Sequence, residues 1–163
     1  MRPLLPAAAL AALALAYPAV SAARVARASQ NEPLWATIDE CRTTGGEATV
    51  GVLARMSPAG GPKAKMYVRF QLQYRDGTGW RDLPGLAARF EGIGRGERGV
   101  THGVRLELRT QQARSFTLRA TVTFQWRRHG RVLYQHVRYT TAGHGNGRYG
   151  SPAGFSAAEC VVS

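Results

Sequence analysis

From Thr49 onward the chain alternates apolar and polar residues with a period of two, the spacing of a strand with one face buried. Val50, Val52, Ala54 and Met56 share one phase, and Thr49, Gly51, Leu53 and Arg55 the other. Ser57-Pro58-Ala59-Gly60-Gly61-Pro62 then breaks the pattern with turn residues. Met66, Val68, Phe70, Leu72 and Tyr74 next alternate with Lys65, Tyr67, Arg69, Gln71, Gln73 and Arg75, closing on Asp76-Gly77-Thr78-Gly79. A short strand is predicted over Trp80–Leu83, ended by Pro84-Gly85, and another over Val104–Arg109. The longest alternation sets Phe116, Leu118, Ala120, Val122, Phe124 and Trp126 against Thr117, Arg119, Thr121, Thr123, Gln125 and Arg127.

Arg128-His129-Gly130 reads as a hairpin turn, with Arg131–Thr141 returning as the partner strand. The phase of that strand is ambiguous, because Val132 and Tyr134 compete with Leu133, Val137 and Tyr139; a bulge near Gln135 would reconcile them. Gly92–Gly99 reads as a loop, the Gly-rich run from Gly143 to Pro152 as another, and Glu159–Val162 as a last short strand. Leu86–Phe90 has room for one helical turn, and no longer helix is predicted in the mature chain. Short antiparallel strands punctuated by turns predict an all-β protein, a single two-sheet sandwich over residues 35–163.

The order of elements from Lys65 to Thr141 resembles the immunoglobulin-like and fibronectin type III sandwiches. It is also similar to a group of small secreted immunoglobulin-like proteins of GC-rich actinobacteria, whose C-terminal half commonly reads aromatic-Arg-Ala-x-Val-x-Phe-x-Trp, a turn, and a Gly-led strand with Arg and Thr. Here those residues are Phe116, Arg119, Ala120, Val122, Phe124 and Trp126, then Gly130 and Val132, then Arg138-Tyr139-Thr140-Thr141. The resemblance implies an immunoglobulin-like sandwich and names no activity, since this fold hosts many. Two features depart from it: there are no cysteines at the central strand positions, and no tyrosine corner is evident.

The ends of the chain add location. Met1-Arg2, the apolar run Leu4–Ala19 and the small residues Val20–Ala23 have the layout of an export signal, with cleavage expected between residues 22 and 28. As a membrane anchor the same run would be short, since a span needs about 20 apolar residues, and Pro6 and Pro18 weaken it. Residues 1–23 are therefore assigned as signal peptide and 24–34 as linker, with no stable membrane insertion after cleavage. The two cysteines, Cys41 and Cys160, are expected to pair in an oxidising compartment and tie the start of the domain to its end.

Charge changes the picture of the surface. The chain carries 22 Lys and Arg against 10 Asp and Glu, a formal net charge of +12, which favours polyanionic partners. For an exported protein these are anionic cell-envelope polymers, lipid headgroups or glycans, rather than a specific nucleic acid. Alternation places Lys65, Tyr67, Arg69 and Arg75 on the polar face of one strand and Arg119 and Arg127 on that of another, and the immunoglobulin-like order makes those strands neighbours. This predicts one basic sheet face as the candidate binding surface. Twenty of the basic residues are Arg, so a coding bias that merely solubilises the surface is the competing explanation.

Catalytic and metal chemistry find little purchase. Gly92-x-Gly94-x-Gly96 lacks the following helix that a phosphate-cradling loop needs. His102, His129, His136 and His144 lack ligand spacing, and His102 and His129 read as turn residues. Asp39 and Glu40 are adjacent and expected on opposite faces of a strand; Asp76 and Asp82 flank a turn that could bring them together. Ser57, Ser115 and Ser151 have no nucleophile-elbow context. The expectation is a secreted, non-enzymatic binding or envelope-associated module with no cofactor, no metal and no catalytic residues. The alternatives are a small hydrolase or sugar-active enzyme on a sandwich scaffold, and a purely structural accessory domain.

Overall fold

The computed structural model describes residues 34–84, 89–109, 114–145 and 149–163. The stretch 1–23 expected to be an export signal, residues 24–33 of the expected linker and the Leu86–Ala88 part of the one-turn segment lie outside the described residues. Nine strands run in chain order: β1 (Trp35–Thr44), β2 (Glu47–Met56), β3 (Gly61–Asp76), β4 (Gly79–Asp82), β5 (Glu91–Gly96), β6 (Val100–Arg109), β7 (Phe116–Arg128), β8 (Arg131–Tyr139) and β9 (Cys160–Val162). Among the described residues there is no helix.

The strands form two antiparallel sheets. One has the order β1-β2-β6; in the other, β4-β3-β7-β8 is extended by β5 alongside β3 and β9 alongside β7. The inner rows of both sheets meet in one core. Ala36, Ile38, Val50, Val52, Ala54 and Met56 come from the smaller sheet, and Met66, Val68, Leu72, Val122, Phe124 and Trp126 from the larger. This is the sandwich that the alternation predicts, with an immunoglobulin-like division of strands: first, second and sixth against third, seventh and eighth. The departure is β5, which pairs with β3 rather than joining the smaller sheet. Trp126 is fully buried and its Nε1 donates to the Ser57 carbonyl at 3.1 Å, so the largest core side chain leaves no unpaired polar atom.

The Gly92–Gly99 run is not only a loop. Its first half is β5, a strand that propensity argues against because three of its six residues are glycine. Close backbone approach explains it. A Cβ on Gly96 would lie 2.2 Å from the Ala59 carbonyl oxygen and 2.8 Å from that of Gly61, so only glycine lets this strand reach the start of β3. His102 lies within β6 rather than in a turn, with Nε2 3.0 Å from Glu91 Oε2. His129 does sit in the β7–β8 turn, where it and Gly130 both have positive φ, as a two-residue hairpin turn requires. The bulge in β8 falls at Leu133, two residues before Gln135: Trp126 pairs with Tyr134 and Arg127 with Val132.

A second bulge decides the geometry of the first strand. Ile38 opposes Val52 and Glu40 opposes Gly51, leaving Asp39 as an extra residue. Cys41 then returns to the inner phase opposite Val50, so Asp39 and Glu40 both point to the outer side of the small sheet, not to opposite faces. Gly51 makes room for them, since a Cβ there would fall 2.8 Å from Glu40 Cβ. Glu40 is buried yet paired, its Oε1 2.5 Å from Arg42 Nη2 and its Oε2 2.8 Å from Arg105 Nε. Burial pushes the Asp39 carboxyl above the ordinary range, and the Glu40 charge adds to that.

The free edge of β1 is covered by the segment that follows β8. Ile38 and Ala157 exchange two backbone hydrogen bonds of 2.9 Å, the Ser151 amide donates to the Asp39 carbonyl, and the Thr141 amide donates to that of Ala36. Thr37 Oγ1 lies 2.7 Å from Ser156 Oγ, and the His144 ring stacks on Trp35 with centroids 4.6 Å apart. A strand edge that could template pairing with another chain is thereby occupied. Cys41 and Cys160 are bonded, with Cα atoms 5.6 Å apart, and fasten β9 and this strap to β1.

Two outcomes follow for stability. The disulfide closes a loop spanning 119 positions, so replacing both cysteines by Ser should cost roughly 2–5 kcal/mol in urea unfolding. The Asp39 shift has the opposite sign to that of a salt-bridged carboxylate. The folded protein holds this proton at pH values where the unfolded chain has released it, so stability falls as pH rises from about 3.9 through the raised folded value. Asp39→Asn should flatten that limb of a stability–pH curve relative to the parent.

Candidate anion-binding face

β3 and β7 pair without a register shift from Lys65–Arg127 to Tyr74–Leu118. Their inner row is core, so every alternate pair falls on the outer face: Lys65 opposite Arg127, Tyr67 opposite Gln125, Arg69 opposite Thr123, Gln71 opposite Thr121 and Gln73 opposite Arg119. Arg75, one step beyond, opposes Trp80 of β4. The six residues that alternation selects, Lys65, Tyr67, Arg69, Arg75, Arg119 and Arg127, thus lie on one face, as neighbouring strands require.

Their surroundings divide them into two groups. At one end, the Arg119 guanidinium sits 4.3 Å from the Trp80 ring centroid and 4.1 Å from that of Tyr139, while Nε donates to Gln73 Oε1 at 2.9 Å. Arg75 lies 4.9 Å from Trp80 and pairs with Glu159 at 3.1 Å. These two cations are used internally. They clasp the four-residue strand β4 to β7 and the strap to β3, and Arg119 is half-buried rather than exposed.

At the other end the charges accumulate. Arg95 of β5 opposes Lys65, and Lys65 opposes Arg127, giving a cross-strand row of three cations. No carboxylate among the described residues pairs with any of the three. Arg127 is half-buried, lying 4.3 Å from the Tyr67 ring centroid and 4.7 Å from that of Phe90, with Nε donating to Gln125 Oε1 at 2.8 Å. Arg69 stands 5.1 Å from the other member of that aromatic pair, Phe90. Arginine stacked on a ring is held flat and sheds less order on binding than a free lysine does. Direct like-charge pairs across strands are unfavourable in the free protein, so an anion laid over the row relieves that repulsion.

Arg95, Trp80, Phe90 and Tyr139 are the residues that pattern reading misses. Arg95 is lost with β5 in a glycine run. Trp80 was within reach, because counting back through the Asp76–Gly79 turn pairs it with Arg75. Asp76 and Asp82 do not converge: Asp76 bonds Arg81 at 2.6 Å, and Asp82 accepts from Gln73 at 2.8 Å. Among the described residues, no three His, Cys, Asp or Glu side chains gather as a metal site would require. Compared with protein-family models, with curated proteins and with solved structures, the chain shows no match.

The division predicts unequal mutants. Arg119→Ser removes two ring contacts and a hydrogen bond and should cost about 1–2 kcal/mol, and Arg119→Lys should recover little of it, since an ammonium cannot stack between two rings. Lys65→Ser should change stability by less than about 0.5 kcal/mol. Thermal unfolding of the three variants checks both.

Proposed function

We propose that this protein is an exported, non-enzymatic sandwich module that binds anionic polymer or glycan of the cell envelope on the outer face of its larger sheet. The observation that carries the reading is the row Arg95–Lys65–Arg127, three cations in direct register with no carboxylate among the described residues to neutralise them. The net charge of +12 adds long-range attraction that brings anionic partners to the surface. An oxidising, extracytoplasmic location accords with the Cys41–Cys160 bond. The non-enzymatic part rests on three of the four carboxylates that the sequence offers as candidates: Glu40 and Asp76 engage arginines, and Asp82 engages Gln73.

The face narrows relative to the sequence reading. Arg75 and Arg119 support the scaffold, and the contact region is Lys65, Arg95 and Arg127 with Arg69 beside it. Binding by several screened contacts should fall steeply between about 0.05 and 0.5 M salt. The double variant K65S/R95S, at two exposed positions, should fold as the parent does and lose about tenfold in affinity for heparin at low salt. Retention of the variant on a heparin matrix equal to that of the parent would refute the reading.

A further inference from the structure

The same face carries a second, apolar column. Of the five large apolar side chains that stand exposed among the described residues, four are Val132 (49%), Val137 (43%), Tyr139 (51%) and Val161 (63%). Register places all four on the outer face of the larger sheet. Val132 opposes Arg127, Val137 opposes Thr123 and Tyr139 opposes Thr121, each across the β7–β8 pair. Val161 of β9 opposes Thr117 at the other end of β7. β8 and β9 flank the same side of β7, so the four residues lie along one sheet edge beside the cations of β3, β5 and β7, with exposed Gln135 between Val132 and Val137.

A soluble polyanion would gain nothing from that column. An anionic bilayer surface uses both halves. Lipid phosphates meet the row Arg95–Lys65–Arg127 while valine and tyrosine side chains enter the headgroup–acyl boundary, the depth favoured by amphipathic surfaces rich in basic and aromatic residues. Tyr67 and Trp80, each half-buried among the arginines, are ring types enriched at that same interface.

Resting on the anion-binding reading of this face, we infer that its partner is the surface of an anionic lipid bilayer, held peripherally by the cation row and the apolar column together. The test measures sedimentation with neutral phosphatidylcholine vesicles and with vesicles containing about 30% phosphatidylglycerol, alongside heparin binding. The parent should bind the anionic vesicles and not the neutral ones, and should retain vesicle binding at a salt concentration that releases heparin. V137S/V161S should lose roughly tenfold on anionic vesicles while binding heparin as the parent does, and K65S/R95S should lose on both. If V137S/V161S sediments like the parent, or if vesicle and heparin binding vanish at the same salt concentration, the bilayer inference falls and the anionic polymer remains the partner. If the parent binds neither vesicles nor heparin, the anion-binding reading itself falls.

Discussion

The unbroken pairing of β3 with β7 is the constraint on which the rest of the molecule depends. One uninterrupted register commits Met66, Val68, Phe70 and Leu72 to the same side as Trp126, Phe124, Val122 and Ala120, and so fixes half of the core. The same register commits every alternate residue to the opposite side. A slip of one position would turn one strand over, driving Lys65, Arg69 and Arg75 of β3, or Arg119 and Arg127 of β7, into the core. The basic face is therefore not an addition to the fold. It is the other half of the pattern that makes the core.

Stacking explains how so many guanidiniums share one surface. Arg119 lies between Trp80 and Tyr139, and Arg127 contacts Tyr67 and Phe90. The rings separate the two cations along the sheet and replace part of the water each would lose. Glutamines and threonines fill the space between, with Gln125 accepting from Arg127 and donating to Gln135. A planar cation over a ring stays charged and keeps its outward N–H edge available. The end with Glu159 is internally neutralised, whereas the end with Lys65 and Arg95 is not, and that asymmetry gives the face a direction.

The sandwich was legible in the sequence wherever side chains alternate, because alternation is the physical requirement for burying one face of a strand. The phases of β2, β3 and β7 follow residue by residue, and so does the face carrying Lys65, Arg69, Arg119 and Arg127. What was not legible follows from interactions between distant segments. β5 is built on glycines whose reason is the nearby Ala59 carbonyl, so its composition reads as a loop and hides Arg95. The β1 bulge at Asp39 interrupts alternation just where Cys41 sits, and the β8 bulge at Leu133 blurs the phase of its strand. That Arg75 and Arg119 serve the scaffold depends on Trp80, Tyr139 and Glu159, which only the assembled sheet brings near them.

The bond between Cys41 and Cys160 also governs what a cut in the backbone can release. Almost the whole described domain lies inside the ring it closes, including the β7–β8 turn and the strap over β1. A single backbone cut anywhere within that ring leaves the two pieces covalently joined through sulfur. Their separation would then require reduction as well as hydrolysis, so nicking at an exposed turn converts the chain into a two-piece molecule without releasing either part.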